Sequence, residues 1–249
     1  MNMRPFLMTS IAAIGLMTAS CAEAGPTTTL SKSEIETLVK EYILENPEII
    51  RDAIIKLQEK ETLQEQEIFK DSIVSAKDAL ENDPRDATIG PDNAKVTIVE
   101  FFDYNCGFCK RSTPWIEDAI KKYGDDVRFV FKELPILDDR TRTSRLASRA
   151  ALAADKQGKY MDMHIALMNQ KRLSGEVIKQ TAEEIGLDMK RYEADMADPT
   201  IEQHISDTLE LANRLPALTG TPFFIVGDEY VSGANTERLE QLVEAGLGS

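Results

Sequence analysis

Between residues 31 and 57 apolar side chains recur at helical spacing. Ile35, Leu38, Val39, Tyr42 and Ile43 form one stripe, and Ile49, Ile50, Ala53, Ile54 and Leu57 form a second. Ser31 and Glu34 fit a capping box at the start of the first helix. Asn46-Pro47-Glu48 restarts the helix: an amide-accepting Asn, a Pro suited to the first turn, and an acid at the positive dipole end. From Gln58 to Glu67 only Leu63 is apolar, which predicts a solvated helical arm or a hinge. Apolar positions return at Ile68, Phe69, Ile73, Val74 and Leu80, and "NDPRDATIGPDNAK" then breaks the helix and marks a domain boundary near residue 84.

The pattern then changes. "KVTIVEFF" (Lys95 to Phe102) and "VRFVFK" (Val127 to Lys132) are rich in β-branched and aromatic residues and predict buried strands. Gly107 to Tyr123 between them reads as a helix, with Pro114 expected to kink it. A helical block follows over about 140–215, with segments near 144–157, 160–169, 175–186, 188–197 and 200–214. "TGTPFFIVGDEYVSGAN" predicts a strand, a Gly-Asp turn and a second short strand, and a last helix starts at Thr236. This order predicts an α/β fold: a mixed sheet covered by helices, preceded by an N-terminal helical region.

The first residues read differently from the rest. "MNMRPFLMTSIAAIGLMTASCAEAG" has one Arg, an apolar run from Phe6 to about Met17, and an Ala22-Glu23-Ala24 cleavage site. The run is too short for a bilayer, which takes ~20 residues, so residues 1–24 are expected to be a secretory signal peptide. Thr18-Ala19-Ser20-Cys21 loosely resembles a lipoprotein box, although Thr18 stands where Leu is usual. Unless Cys21 is lipidated it leaves with the signal peptide. The formal charge of −14 over 249 residues argues against nucleic acid and anionic lipid surfaces as partners.

Three cysteines are present, two of them in "FFDYNCGFCKRSTPW" as Cys106 and Cys109. A structural zinc site needs about four ligands, and His164 and His204 lie in separate helical segments without paired spacing. Both histidines read more simply as surface or helix-packing residues, so no metal is expected. A structural disulfide across so short a loop exploits little chain entropy. Redox chemistry fits the position better: the pair follows a strand and opens a helix, where unpaired amides and the dipole favour a thiolate. Cys-x-x-Cys beside a strand–helix–strand unit is the thioredoxin-like signature.

Three stretches, "VTIVEFFDYNCGFCK", "FKELPIL" and "GTPFFIV", in this order resemble the periplasmic DsbA/DsbC-type thiol–disulfide oxidoreductases. With "YILENPEII" the resemblance extends to ScsC-like members of the DsbA family. It implies a thioredoxin fold over 84–249 with the helical insertion at about 140–215, and an N-terminal oligomerisation region and linker over 31–83. It implies that Cys106 is the exposed nucleophile and Cys109 the buried resolving thiol. Pro222 matches the family's cis-proline, with the Thr221 backbone pairing with an extended substrate; an ordinary trans-Pro at a strand start is the plain alternative. Glu100 matches a buried acid that assists proton transfer under the resolving thiol. A carboxylate in that strand needs a partner, for which Lys132 on the neighbouring strand is the candidate; the plain alternative is an edge position with water access. Trp115 and Phe102 read as core residues.

Strongly oxidising relatives carry a histidine before the second cysteine, where this chain has Phe108. Gly107-Phe108 and Thr221 resemble the DsbC-type isomerases instead. The expected activity is therefore a disulfide isomerase or reductase in the periplasm, with a monomeric DsbA-like oxidase as the alternative. A third reading, an exported assembly protein using the fold as a scaffold, is disfavoured by the intact cysteine pair. The expected partners are disulfide-containing secreted proteins, a membrane redox protein and further copies of the chain as a trimer or dimer, with no cofactor.

Overall fold

The computed structural model describes residues 30–248; the signal-peptide and Cys21 readings fall outside them. The described chain forms two compact units, one up to Leu57 and one from Gln58 onward.

The first unit contains α1 (Lys32–Glu45) and the start of α2 (Glu48–Glu81). Ser31 caps α1 as expected: the Glu34 amide donates to its hydroxyl, and the Glu34 carboxylate accepts from the Ser31 amide at 2.8 Å. No residue of α1 is buried. Its stripe at Ile35, Leu38, Val39 and Tyr42 is exposed, as are Ile49, Ile50, Ile54 and Leu57 on α2. The polar stretch 58–67 is helical throughout, so it is not a break in α2.

The second unit is built on a five-stranded sheet of order β1-β3-β2-β4-β5, formed by β1 (Ala87–Ile89), β2 (Val96–Phe102), β3 (Val127–Glu133), β4 (Phe223–Val226) and β5 (Glu229–Ser232). β2 and β3 are parallel, joined by α3 (Gly107–Tyr123); β1, β4 and β5 pair antiparallel with their neighbours. β1 lies inside the stretch read from sequence as a helix breaker, and three residues are too few to show a strand period. Pro114 sits inside α3 without ending it.

Alternation along the strands sorts the core into two layers. Ile98 and Phe102 of β2, Phe129 and Phe131 of β3 and Phe224 of β4 face one side. There they meet α3, α5 (Ser144–Asp155), α6 (Tyr160–Met168) and α10 (Thr236–Leu247). Val99, Phe101, Val130, Phe223 and Ile225 face the other. They pack against Phe69, Ile73, Ala76 and Leu80 of α2 and Leu211 and Ala212 of α9 (Pro199–Asn213). The strand phenylalanines are nearly all fully buried, each contributing roughly 1.5–3 kcal/mol relative to exposure. Phe102 is core as expected, and Trp115 packs partly buried against the same layer. Between β3 and β4 run α4 (Asp138–Thr141), α5, α6, α7 (Gly175–Glu184), α8 (Met189–Met196) and α9. Most of this block closes over the first layer, while the C-terminal part of α9 packs on the second. Among the described residues no helix is long and apolar enough to cross a membrane.

Candidate active site

β2 ends at Phe102, the chain turns through Asp103–Asn105, and Cys106 takes the N-cap position of α3. The turn is held from within. Asp103 Oδ1 accepts from the Asn105 amide (2.7 Å) and the Ser144 hydroxyl (2.8 Å), and its Oδ2 from the Leu137 amide (2.9 Å). The Cys106 amide donates to the Asp103 carbonyl at 3.0 Å. These bonds aim the thiol at the helix N-terminus.

Both thiols are free. Cys109 is completely buried in the first turn of α3, while Cys106 keeps 8% of its surface. The nucleophile is thus more covered than the exposed position expected for it, because Thr221 lies over it: the protonated thiol donates to the Thr221 carbonyl at 3.2 Å. The Thr221–Pro222 bond is cis. Phe108 next to the pair is 53% exposed, with the Arg111 guanidinium 4.1 Å from the centre of its ring.

The environment separates the two sulfurs electrically. A hydrogen bond from the Cys109 thiol, with others from the Thr221 side chain and the Cys109 and Phe108 amides, outweighs burial and lowers the Cys106 thiol to about 5. Burial first, then donation to Cys106, pushes Cys109 far above the ordinary thiol range. At neutral pH Cys106 is a thiolate and Cys109 holds its proton. A stabilised, partly reachable thiolate beside a proton-holding thiol can attack a disulfide and then be resolved.

Glu100 lies beneath the pair on β2, completely buried, with no hydrogen-bond partner for either carboxylate oxygen. Burial first, and the Glu133 carboxylate second, raise it well above the ordinary range. The edge position is excluded, since β2 is the central strand. The expected Lys132 partner is also wrong. In the parallel register Glu100 stands opposite Phe131 and Lys132 opposite Phe101. Side chains one residue apart leave a strand on opposite faces, so Lys132 points into the second layer. There its ammonium pairs with the buried Asp86 carboxylate and donates to the Ala79 carbonyl.

Neither histidine is at the surface. His204 is buried on α9, its Nε2 2.9 Å from Asp86 Oδ1. His164 is buried on α6, with burial lowering it to about 3, so it is neutral. Asp83, Asp86 and His204 each bring one potential metal-ligating atom within 4.8 Å of the others. Their charge is already met by Lys132 on Asp86 and Arg85 on Asp83. Sequence reasoning missed Glu133, Tyr104, Tyr160 and His164, which gather beside Glu100. The signal for Glu133 was available: continuing the alternation of "VRFVFKE" puts it on the face of Phe129 and Phe131. A groove of about 410 Å³ is lined in part by Leu134, Ile136, Asn213, Leu218, Thr219 and Gly220, the last being the residue before Thr221.

Known proteins share this fold. The chain matches the DSBA-like thioredoxin domain over residues 97–245, more than half its length. The chain belongs to the DSBA-like thioredoxin family. Residues 32–64 match the N-terminal domain of copper resistance protein ScsC. A solved linker-deletion mutant of Proteus mirabilis ScsC is 27% identical, covering 90% of this chain and 99% of that one with a TM-score of 0.65. The thiol-disulfide exchange protein alpha-DsbA2 from Wolbachia pipientis is 29% identical over 72% of this chain and 96% of its own, with a TM-score of 0.66. A curated relative, Na(+)/H(+) antiporter NhaA 3 of Salinispora tropica, is 32% identical over 167 residues. The match spans 66% of this chain but only a quarter of that antiporter's length.

Proposed function

We propose that the mature chain is an exported, periplasmic thiol–disulfide oxidoreductase that isomerises or reduces disulfides in secreted proteins. The observation that carries this reading is the asymmetry of the pair: a Cys106 thiolate under Thr221 and a buried, protonated Cys109. Cys106 Sγ attacks one sulfur of a client disulfide. That S–S bond breaks, a mixed disulfide forms, and the released client thiolate takes a proton from water. In isomerisation another client thiol attacks the mixed disulfide, and Cys106 leaves as the thiolate it was. In reduction Cys109 attacks Cys106 Sγ, giving up its proton; the client leaves as a thiolate and a Cys106–Cys109 disulfide remains. A membrane-bound dithiol donor then restores the pair.

Thr221 and Pro222 serve as the backbone platform for the client strand, and the groove that Gly220 helps to line offers it a surface. Glu100 is the buried acid that assists proton transfer at Cys109. The exposed stripes of residues 31–57 support an oligomerisation region, with trimer or dimer as the assembly. Several active sites on one frame hold a client at high effective concentration while its bridges exchange.

The test combines thiol trapping in the cell with reactivation of scrambled ribonuclease. A pair that is mostly reduced in the cell, with reactivation that depends on Cys106, supports the isomerase. A mostly oxidised pair that only introduces disulfides makes the chain an oxidase, and insulin reduction surviving in Cys106→Ser would overturn the redox assignment altogether.

A further inference from the structure

A second surface adjoins the thiols. Asn105, the residue before Cys106, donates from its side-chain amide to the hydroxyls of Ser144 (2.9 Å), Thr143 (3.1 Å) and Thr141 (3.3 Å). These bonds hold the turn between α4 and α5 against the active site, and Arg142 stands in that turn between two of the bonded threonines. On another flank Lys110, in the first turn of α3, donates to the Gln170 carbonyl and so brings Lys171 and Arg172 beside the same helix end. Arg111 lies over the ring of Phe108. Arg111, Arg140, Arg142, Lys171 and Arg172 are all exposed. Among the described residues none of them is in an ion pair, whereas exposed cations elsewhere, such as Lys70, Lys95, Lys122 and Lys179, pair with acids.

Arg142 occupies a costly position. It is the C-cap of α4, its amide donating to the Asp138 carbonyl at 2.8 Å, with φ at +60°. Among the described residues no other non-glycine residue has a positive φ. Glycine is the usual occupant of such a cap, because it has no Cβ to clash. The backbone therefore gives no reason for an arginine. Nor does the thiolate: Cys106 is lowered by hydrogen bonds from Cys109, Thr221 and the Phe108 and Cys109 amides, with no arginine among the leading causes. The acids of this surface are Asp138 and Asp139, and one oxygen of Asp138 already accepts from the Arg145 amide (3.0 Å). A basic rim thus flanks the thiols of a chain whose formal charge is −14. Charges are screened over about 8 Å at physiological ionic strength, so an anion arriving here feels the rim and not the distant acids.

We propose that this rim recognises carboxylates of the client polypeptide, with Arg142 as the specificity-determining residue, so that the chain favours disulfides flanked by aspartate or glutamate. A guanidinium offers a carboxylate two parallel hydrogen bonds, and an arginine fixed in a tight turn presents that fork with little backbone freedom to lose. Each exposed pair is weak, but several cations around one site steer an anionic segment onto it and raise the rate of encounter. The client strand then lies on Thr221 with its flanking acids toward Arg142 on one side and toward Arg111, Lys171 and Arg172 on the other. This inference deepens the redox reading above and rests on it, naming acidic polypeptide segments as the substrate class.

The test uses the full mature chain in its dithiol form and two peptides with one internal disulfide, flanked by aspartates in one and by serines in the other. Loss of thiolate absorbance gives the rate of attack by Cys106. Each rate is divided by that of the same peptide with dithiothreitol, which removes the peptides' own reactivity. Wild type should favour the acidic peptide about tenfold at low ionic strength, and the preference should fade at high salt. Arg142→Gly should cut the ratio about threefold, Arg142→Glu should cut it further, and Arg142→Lys should keep most of it. A change in the thiolate itself would alter both rates alike and leave the ratio standing. A merely structural Arg142 would instead lower the melting temperature of R142G, which should hold or rise because glycine suits the positive φ. No acidic preference in wild type, or one that survives R142G and R142E, overturns the proposal. If the Arg142 variants do not fold, Lys171→Ser with Arg172→Ser decides: a lowered ratio upholds the rim and an unchanged one sinks it. If wild type reacts with neither peptide, the redox reading fails. The rim is then judged by the acidic peptide with serines in place of its cysteines, which should shift the guanidinium NMR signal of Arg142; no shift refutes it.

Discussion

Glu100 and Lys132 sit on adjacent parallel strands and point away from each other, into opposite layers of the core. Register and alternation decide this, and the consequence is large. Lys132 neutralises Asp86 in the second layer, and Glu100 is left among acids and aromatics with no counter-charge. The site therefore holds its carboxyl protonated, where an ion pair would have kept it charged.

Lys132→Met is expected to cost stability and spare the thiol. Removing one partner of a buried pair costs about 3–5 kcal/mol, because the Asp86 charge is left behind. His204, 2.9 Å from Asp86, is then the one polar side chain still bonded to that carboxylate among the described residues. Chemical denaturation should show the loss, while the pH midpoint of Cys106 alkylation stays where it is in wild type.

That midpoint is itself a prediction. Cys106 should react with iodoacetamide with a midpoint near pH 5, since its thiol is lowered to about 5. Cys109→Ala should raise it, because the strongest hydrogen bond to the thiolate is lost. A thiol depressed in the folded state stabilises the fold above its ordinary value of 9.0, and that contribution is lost as pH falls toward about 5. The dithiol protein should therefore weaken relative to the disulfide protein over that descent, as urea titrations of both forms would reveal.

The buried acids act with the opposite sign. Glu133 is raised from 4.5 to about 8, so its contribution is complete below 4.5 and is lost as pH climbs to about 8. Relative to wild type, Glu133→Gln should gain stability steadily across that window. Denaturation at several pH values checks the slope, which does not depend on what the amide costs at any one pH.

Glu100→Gln should slow the release of client by Cys109 about 10²-fold, the lower end of what a positioned proton-transfer group contributes. The first attack by Cys106 should be unaffected. Stopped-flow separation of mixed-disulfide formation from its resolution distinguishes the two steps, and equal slowing of both would count against the assignment.

The N-terminal stripes are best tested by charge and not by truncation. Phe69, Ile73 and Leu80 belong to the core of the second unit, so a chain cut at Asp83 would lose part of that core. Leu38→Glu with Ile54→Glu leaves it intact. Light scattering should then report a monomer, with isomerase activity lost and Cys106 reactivity retained. An unchanged mass would refute self-association through these helices.

What the linear chain determines here is local. Runs rich in β-branched and aromatic residues define β2 and β3, helical stripes define α1 and α2, and Cys106 opens a helix because a strand, a turn and a helical pattern meet there. Such features follow from residues within one or two turns of each other, where propensity and patterning suffice. The electrostatics follow from longer range. That His164 is neutral, that Asp86 belongs to Lys132 and His204, and that Glu133 joins Glu100 all depend on contacts between groups more than thirty positions apart. A buried charge takes whichever partner the strand register brings to its own face of the sheet, and local sequence says nothing of what stands across that face. The thiol pair was legible in one short stretch; the acids that govern its protons came together only when β2, β3 and α6 packed.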